Sequence, residues 1–142
     1  MYVLNNSTAF KEVKKAWGYD HWYVNNPDHG YCMKGMTLEP GHQCSLHRHA
    51  KAETFLITEG KMIMEKNGLE LYGKSLGGKA YKYGDDIIRT QSFVVIEGDT
   101  VVIESSEWHR FISAGLMPCK FIEVSQFHSD SEVQRVPGEE SR

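Results

Sequence analysis

Short β-favouring segments separated by turns run from residue 30 to residue 126 of the 142-residue chain. There are about nine of them, and turn pairs such as Glu59-Gly60, Asn67-Gly68 and Gly98-Asp99 stand between them. The predicted strands are 30–38, 44–49, 53–58, 61–66, 69–72, 87–88 with 92–97, 100–104, 107–113 and 119–126. Many short strands at this spacing predict an all-β fold, an antiparallel sandwich or barrel.

The segments at either end of these strands divide the chain. The three predicted parts are an N-terminal arm (1–29), a barrel (30–127) and a polar C-terminal tail (128–142). In the arm, the spacing of Phe10, Val13 and Trp17 permits one short amphipathic helix, and an extended segment packed over a sheet is the alternative. Within the barrel, the glycine-rich stretch 73–86 is expected to be an exposed loop. The tail is expected to be frayed at its end.

Composition restricts the partners and the location of the protein. A net charge of -3 and a pI of about 6.1, with no long basic stripe, argue against binding to nucleic acid or to an anionic membrane. No apolar run approaches the length of a membrane span, and the N-terminus lacks the order of a signal peptide. The three cysteines, Cys32, Cys44 and Cys119, are odd in number and have no CxxC spacing. A cytoplasmic protein without a disulfide framework is therefore expected.

Four residues of metal-ligand type are predicted to converge. Side chains alternate along a strand, so His47 and His49 point to the same face. Residues 50–52 are enough to turn the chain, and Glu53 then begins the returning strand opposite the two imidazoles. His109, on a distant strand after the turn at Gly98, supplies a fourth ligand. Three imidazoles and one carboxylate form a set that binds divalent cations.

The spacing of these residues resembles the cupin superfamily. Gly41, His47, His49, Glu53 and Gly60 stand at the separations of the first cupin motif. The second motif is partly kept, with Gly98 and His109 in place. Its proline, glycine and asparagine are replaced by Glu104, Ser106 and Ser113. The resemblance covers roughly residues 30 to 126. It implies a double-stranded β-helix, a jelly-roll-like barrel with the metal inside, that commonly forms a homodimer.

Within the cupins, the chain is similar to sugar isomerases. The stretch from Gly41 to Glu53 looks like the metal-binding segment of cupin-type mannose-6-phosphate isomerases, and KAWGY at 15–19 resembles the segment that leads into it. WHRF at 108–111 and FIEVS at 121–125 are similar to parts of D-lyxose isomerase, although that family has its carboxylate ligand further from the histidine pair. The resemblance implies a small-molecule substrate, a sugar or sugar phosphate. It also implies a divalent metal, with Mn, Zn, Fe and Ni all compatible.

Aldose–ketose isomerisation needs a base beside the metal. The metal would bind the substrate's O1 and O2 and stabilise an ene-diolate, while the base carries a proton between C1 and C2. Glu123 is the first candidate, since it faces inward if its strand neighbours at alternate positions do, and Lys34 is the second. Lys34 is also the cation expected to meet a substrate phosphate. Arg48 and Arg110 alternate away from their histidine neighbours and are expected to be structural.

Two other classes of function stay open. Three histidines and one glutamate also serve iron-dependent cupin dioxygenases, and a non-catalytic sugar or metabolite binder would carry the same ligands. The remaining histidines, His21, His29, His42 and His128, lack a motif and are expected to have no part in the site.

Overall fold

The computed structural model describes residues 11–68, 75–129 and 133–142, and these contain only strands, turns and irregular segments. The strands are β1 (Lys11–Lys15), β2 (Gly18–Asn26), β3 (Tyr31–Leu38), β4 (His47–Arg48), β5 (Glu53–Glu59), β6 (Lys61–Lys66), β7 (Ser75–Tyr83), β8 (Asp86–Ile96), β9 (Thr100–Ile103), β10 (His109–Ser113), β11 (Cys119–Gln126) and β12 (Gln134–Arg135). Within the described residues, no helix of the length and apolarity that a membrane crossing requires is found.

Two six-stranded sheets face each other. Their strand orders are β1-β2-β3-β11-β5-β9 for the first sheet and β12-β4-β10-β6-β8-β7 for the second, and the described pairings are antiparallel. The chain passes from the first sheet to the second at Gly60, which joins β5 directly to β6. Gly60 has φ 79°, and an added Cβ would lie 2.8 Å from the Pro118 carbonyl oxygen. Glycine is required at this corner because a side chain would meet both obstacles.

The space between the sheets is apolar at one end and polar at the other. Alternation along β11 turns Cys119, Phe121, Glu123 and Ser125 inward, so one strand contributes to both ends. At the apolar end, the Phe111 ring packs edge-on against other aromatic rings, and its centroid lies 5.2 Å from that of Phe121. The polar end carries inward-facing histidine, glutamate and lysine side chains.

The N-terminal arm continues the first sheet. β1 and β2 form a hairpin, and β2 pairs with β3 along its length, with one irregularity between Trp22 and Val24. The amphipathic-helix alternative for Phe10, Val13 and Trp17 is therefore wrong for the described residues 11–26. Phe10 itself lies outside them. Trp17 is buried against Phe111, with ring centroids 4.8 Å apart, so the extended alternative accounts for the aromatic residues.

The expectation of a loop at 73–86 is wrong where the structure describes that stretch. β7 pairs with β8 across the two-residue turn at Gly84 and Asp85. β7 is an edge strand, and its first six residues are exposed. An exposed strand needs no apolar alternation, so its glycines and lysines look like a loop in the sequence. The strand predicted at 69–72 lies outside the described residues.

The C-terminal tail is paired in its described part, which corrects the expectation of a frayed end. β12 pairs with β4, and the Arg142 and Gln43 backbones exchange two hydrogen bonds. Val136 is buried in a small second core with Leu46 and Trp108 on the outer side of the second sheet. The tail therefore adds apolar burial as well as backbone pairing.

Candidate metal centre

Three histidines meet at the polar end of the barrel. His47 of β4 lies directly opposite His109 of β10, and His49 follows β4 by one residue. The ring centroids are 4.4 Å apart for His47 and His109, and 5.0 Å apart for His49 and His109. One nitrogen from each ring lies within 4.8 Å of the others. This spacing allows one cation to contact all three rings.

The backbone fixes the tautomer of each ring. In every case the Nδ1 atom lies within hydrogen-bond distance of a carbonyl two residues away. The pairs are His47 with Ser45, His49 with Lys51 and His109 with Glu107, at 2.7, 3.0 and 2.8 Å. Because a carbonyl oxygen only accepts, each Nδ1 carries the proton and donates it, which leaves the Nε2 lone pair directed away from the backbone. Burial also lowers the pKa of His47 to about 3, so that ring is neutral.

Glu53 completes the cluster. Its Oε1 lies 3.1 Å from Nε2 of His49 and 2.9 Å from Nε2 of His109. Burial would raise the pKa of Glu53, but the adjacent His109 and His49 rings hold it well below its ordinary range, so the carboxyl is ionised. The buried Nε2 of His109 makes no hydrogen bond. Two lone pairs thus face a carboxylate oxygen without a proton between them, and a cation would remove this repulsion. The four residues fit a divalent metal ion.

Glu123 and Lys34 lie beside this cluster. They are cross-strand neighbours on β11 and β3, and both are buried facing the barrel interior. Their charged atoms are 3.9 Å apart, and the Lys34 ammonium also stacks on the Trp22 ring at 3.9 Å from its centroid. Burial and the charge of Glu53 raise the pKa of Glu123 to about 7. Burial lowers the pKa of Lys34. The inward orientation inferred from alternation agrees with these positions, and their catalytic roles stay predictions.

Lys51 is a site residue that the sequence interpretation missed. Its ammonium nitrogen lies 3.0 Å from Oε2 of Glu123, 3.6 Å from Oε2 of Glu53 and 2.7 Å from Nδ1 of His128. Residues 50–52 were expected to act only as a turn, and His128 was expected to have no part in the site. A lysine between the ligands His49 and Glu53 is the signal that could have identified it, because a turn that short keeps its side chains near those of both flanking residues.

The cluster opens into a cavity of about 160 Å³. Trp17 and Phe111 form part of an apolar wall, and Lys15, Val133 and Arg135 lie among the residues that line it from the chain's two ends. This volume suits a single small metabolite, since sites for larger ligands are roughly 300–1,000 Å³.

The two arginines beside the ligand histidines point elsewhere. The Arg48 guanidinium lies 4.6 Å from the Trp108 ring centroid, and Arg110 contacts Glu65 at 3.3 Å and Glu139 at 2.7 Å. Both therefore stabilise the outer side of the second sheet, as alternation predicts. His29 and His42 are exposed and do not line the cavity.

No protein-family model and no curated protein sequence matches the chain. Solved structures do match. Oxalate decarboxylase from Bacillus subtilis has a TM-score of 0.68 and 18% identity over 91% of this chain and 31% of its own, and Mn(II) centres are assigned in that enzyme. The capsular polysaccharide assembling protein CapF from Staphylococcus aureus has a TM-score of 0.65 and 18% identity over 89% of this chain and 32% of its own.

The chain thus spans about a third of the length of these two proteins. A cupin-2 domain from Rhodospirillum rubrum has a TM-score of 0.62 and 15% identity, over 97% of this chain and 74% of its own. All three similarities extend over nearly the whole of the two-sheet barrel. The chain therefore has the cupin fold.

Proposed function

We propose that the protein is a metal-dependent cupin enzyme that interconverts the aldose and ketose forms of a small sugar or sugar phosphate. One observation carries the proposal: the buried carboxyl of Glu123 shares a cavity with the histidine cluster, and its pKa is raised to about 7. A carboxyl that titrates near neutral pH can both accept and return a proton, which is what isomerisation asks of a base.

His47, His49, Glu53 and His109 would hold the metal in this proposal. A divalent cation bound there would stabilise the negative charge that develops on the substrate oxygens. Manganese, zinc, iron and nickel all suit this ligand set, and the Mn(II) centres of the B. subtilis oxalate decarboxylase favour testing manganese first.

Glu123 would transfer the proton. As a carboxylate it takes the proton from C2 of the aldose. The C–H electron pair then forms the C1–C2 double bond, and the C1 carbonyl oxygen takes the negative charge. Return of the same proton to C1 gives the ketose. Lys51 and Lys34 hold the carboxylate in position from 3.0 and 3.9 Å. Trp17 and Phe111 restrict water on the apolar side of the cavity.

The test is an NMR screen in D₂O of free and phosphorylated aldoses and ketoses, with Mn²⁺, Zn²⁺, Fe²⁺ and Ni²⁺ supplied in turn. We expect deuterium incorporation at C1 or C2 with at least one pair. Glu123→Gln should abolish exchange while metal content is retained. Glu97→Gln, which removes the same charge at an exposed turn, should not change the rate.

Two results would replace the proposal. Absence of exchange in every combination, with oxygen consumption by the iron-loaded protein, would indicate a dioxygenase. Absence of both, with a sugar bound equally by the unsubstituted protein and by Glu123→Gln, would indicate a binding protein. The proposed location is the cytoplasm, and the three free, buried cysteines are in keeping with it.

A further inference from the structure

Arg135 faces the cavity from the C-terminal strand. In the pairing of β12 with β4, Gln134 lies opposite Arg48 and Arg135 lies opposite His47. Residues directly opposite each other in an antiparallel pair have their side chains on the same face. Gln134 follows this rule on the outer face, where its Oε1 accepts a hydrogen bond from Nε of Arg48 at 2.6 Å. Arg135 follows it on the inner face beside His47 and lines the cavity.

Arg135 differs from the lysines that line the same cavity. Lys51 and Lys34 pair with Glu123, and Lys15 lies 3.9 Å from Asp20. Among residues 11–68, 75–129 and 133–142, no acidic side chain comes within 4.0 Å of the Arg135 guanidinium. Its positive charge is exposed to solvent at the cavity and is not neutralised by the protein.

The segment that carries Arg135 is held in place on both sides. Val136, the next residue, is buried, and Oγ of Ser141 accepts a hydrogen bond from the backbone N–H of Ser45 at 2.9 Å. A guanidinium fixed at its base and free at its tip can meet an incoming group with two parallel N–H donors. Phosphate and carboxylate groups have the matching geometry.

We infer that Arg135 binds an oxyanion, a phosphate or a carboxylate, carried by the substrate at the end away from its reacting carbons. This inference rests on the proposed function for the identity of the reacting end. It gives Arg135 the role that the sequence offered to Lys34. Lys34 is enclosed by Glu123 and Trp22, so an anion would have to displace an existing ion pair to reach it.

The first test needs no turnover. Inorganic phosphate and acetate are titrated separately into the purified protein of known metal content, and the ¹H–¹⁵N signals of the arginine Nε groups are followed. We expect the Arg135 signal to shift saturably with at least one anion. Arg135→Gln should weaken that binding by about 10-fold or more, and Arg135→Lys should restore part of it. Arg89→Gln removes the same charge from an exposed position on β8 and should bind as the unsubstituted protein does.

Equal affinity in Arg135→Gln and the unsubstituted protein, or an unmoved Arg135 signal with both anions, would overturn the inference. Kinetics then test the link to the reaction. With a phosphorylated or acidic substrate, Arg135→Gln should raise KM by about 10-fold or more with little change in kcat, and a neutral sugar should show no difference. If no sugar is isomerised but phosphate still binds through Arg135, the proposed function fails and the anion site remains.

Discussion

The orientation of three imidazole rings decides what the polar end of the barrel can bind. Each Nδ1 proton is donated to a carbonyl from the ring's own stretch of chain, so the ligand atoms are presented by local backbone geometry. The rings would hold this arrangement before any cation arrives. Preorganised ligands lose little conformational entropy on binding, which favours tight binding of the metal.

Substitution of one ring should therefore remove the metal without unfolding the barrel. We expect the purified protein to hold about one divalent ion per chain and His109→Gln to weaken its binding by more than about 100-fold, beyond the loss that follows removal of a second-shell partner. Mass spectrometry of metal content after dialysis measures this. His29→Gln, at an exposed turn, is the matched control and should retain the ion.

Unfolding free energy gives an independent readout of the same prediction. Metal at a hundredfold excess over its Kd should stabilise the folded state by about 2.7 kcal/mol. A chelator should remove that increment from the unsubstituted protein and from His29→Gln, but not from His109→Gln. Full metal content in His109→Gln would show that His109 is not a ligand.

The site was predictable from the sequence only where its residues are close in the chain. His47, His49 and Glu53 lie within one turn and the two strands that flank it, so alternation is enough to bring them together. Lys51 was missed because residues in a turn have no assigned face until the turn geometry is known. Arg135 was missed because its position depends on the pairing of β12 with β4, some 86 residues apart along the chain.

At the scale of elements, a buried carboxylate ties β7 and β8 to β6. Oε2 of Glu65 on β6 accepts hydrogen bonds from the Tyr81 hydroxyl at 2.7 Å and the Thr90 hydroxyl at 2.5 Å. Thr90→Val keeps the side-chain shape and removes one donor, and Tyr81→Phe removes the other. Each should lower the free energy of unfolding by about 1.5–3 kcal/mol, because hydrogen bonds to a charged, buried group are strong. Urea denaturation measures the loss.

Tyr83 supplies the control for that pair. It lies on the same strand, and its ring packs on Trp108 with centroids 4.8 Å apart. Tyr83→Phe removes the same atom and should change stability by less than about 0.5 kcal/mol. Equal losses in Tyr81→Phe and Tyr83→Phe would mean that the Glu65 contacts do not hold the hairpin.

The C-terminal segment should contribute measurably to stability. Val136→Ala removes two methyl groups from the small core around Leu46 and Trp108, and we expect it to cost about 2 kcal/mol. Val94→Ala, on the outer face of β8 with 41% of the side chain exposed, should cost well under 1 kcal/mol. Urea denaturation compares the two variants, and a negligible cost for Val136→Ala would return the tail to the status of a frayed end.

Elements with an inner apolar face were predictable, and those without one were not. The predicted strands 61–66 and 119–126 coincide with β6 and β11, whose alternate residues are buried. β7 has an exposed first half, and β12 is two residues long. Neither has an apolar period of its own. Both are fixed by pairing with a distant strand, and a single sequence gives no direct signal for such pairing.

At the scale of the whole molecule, the first sheet has an apolar outer face. Across its central strands, Ile122 lies opposite Leu56 and Val124 lies opposite Met33, and these side chains point away from the cavity. Val124 is 53% exposed and Leu56 38%. A row of apolar side chains on a broad sheet is suited to pairing with a second copy, which would need to bury about 800 Å² on each side.

We propose that the protein is a homodimer joined through this face. Val124→Lys places a charge at the middle of the proposed interface, where burial without a partner is costly, and it should shift the protein to monomers at micromolar concentration. Light scattering during size-exclusion chromatography gives the mass directly. Val94→Lys makes the same change on the outer face of the second sheet and should leave the dimer intact. A monomeric unsubstituted protein, or dissociation by Val94→Lys alone, would contradict the proposal, because the first would mean no stable pairing and the second would place the contact on the other sheet. The metal cluster lies inside the barrel, so metal content should be the same in both variants, which separates the loss of assembly from the loss of the site.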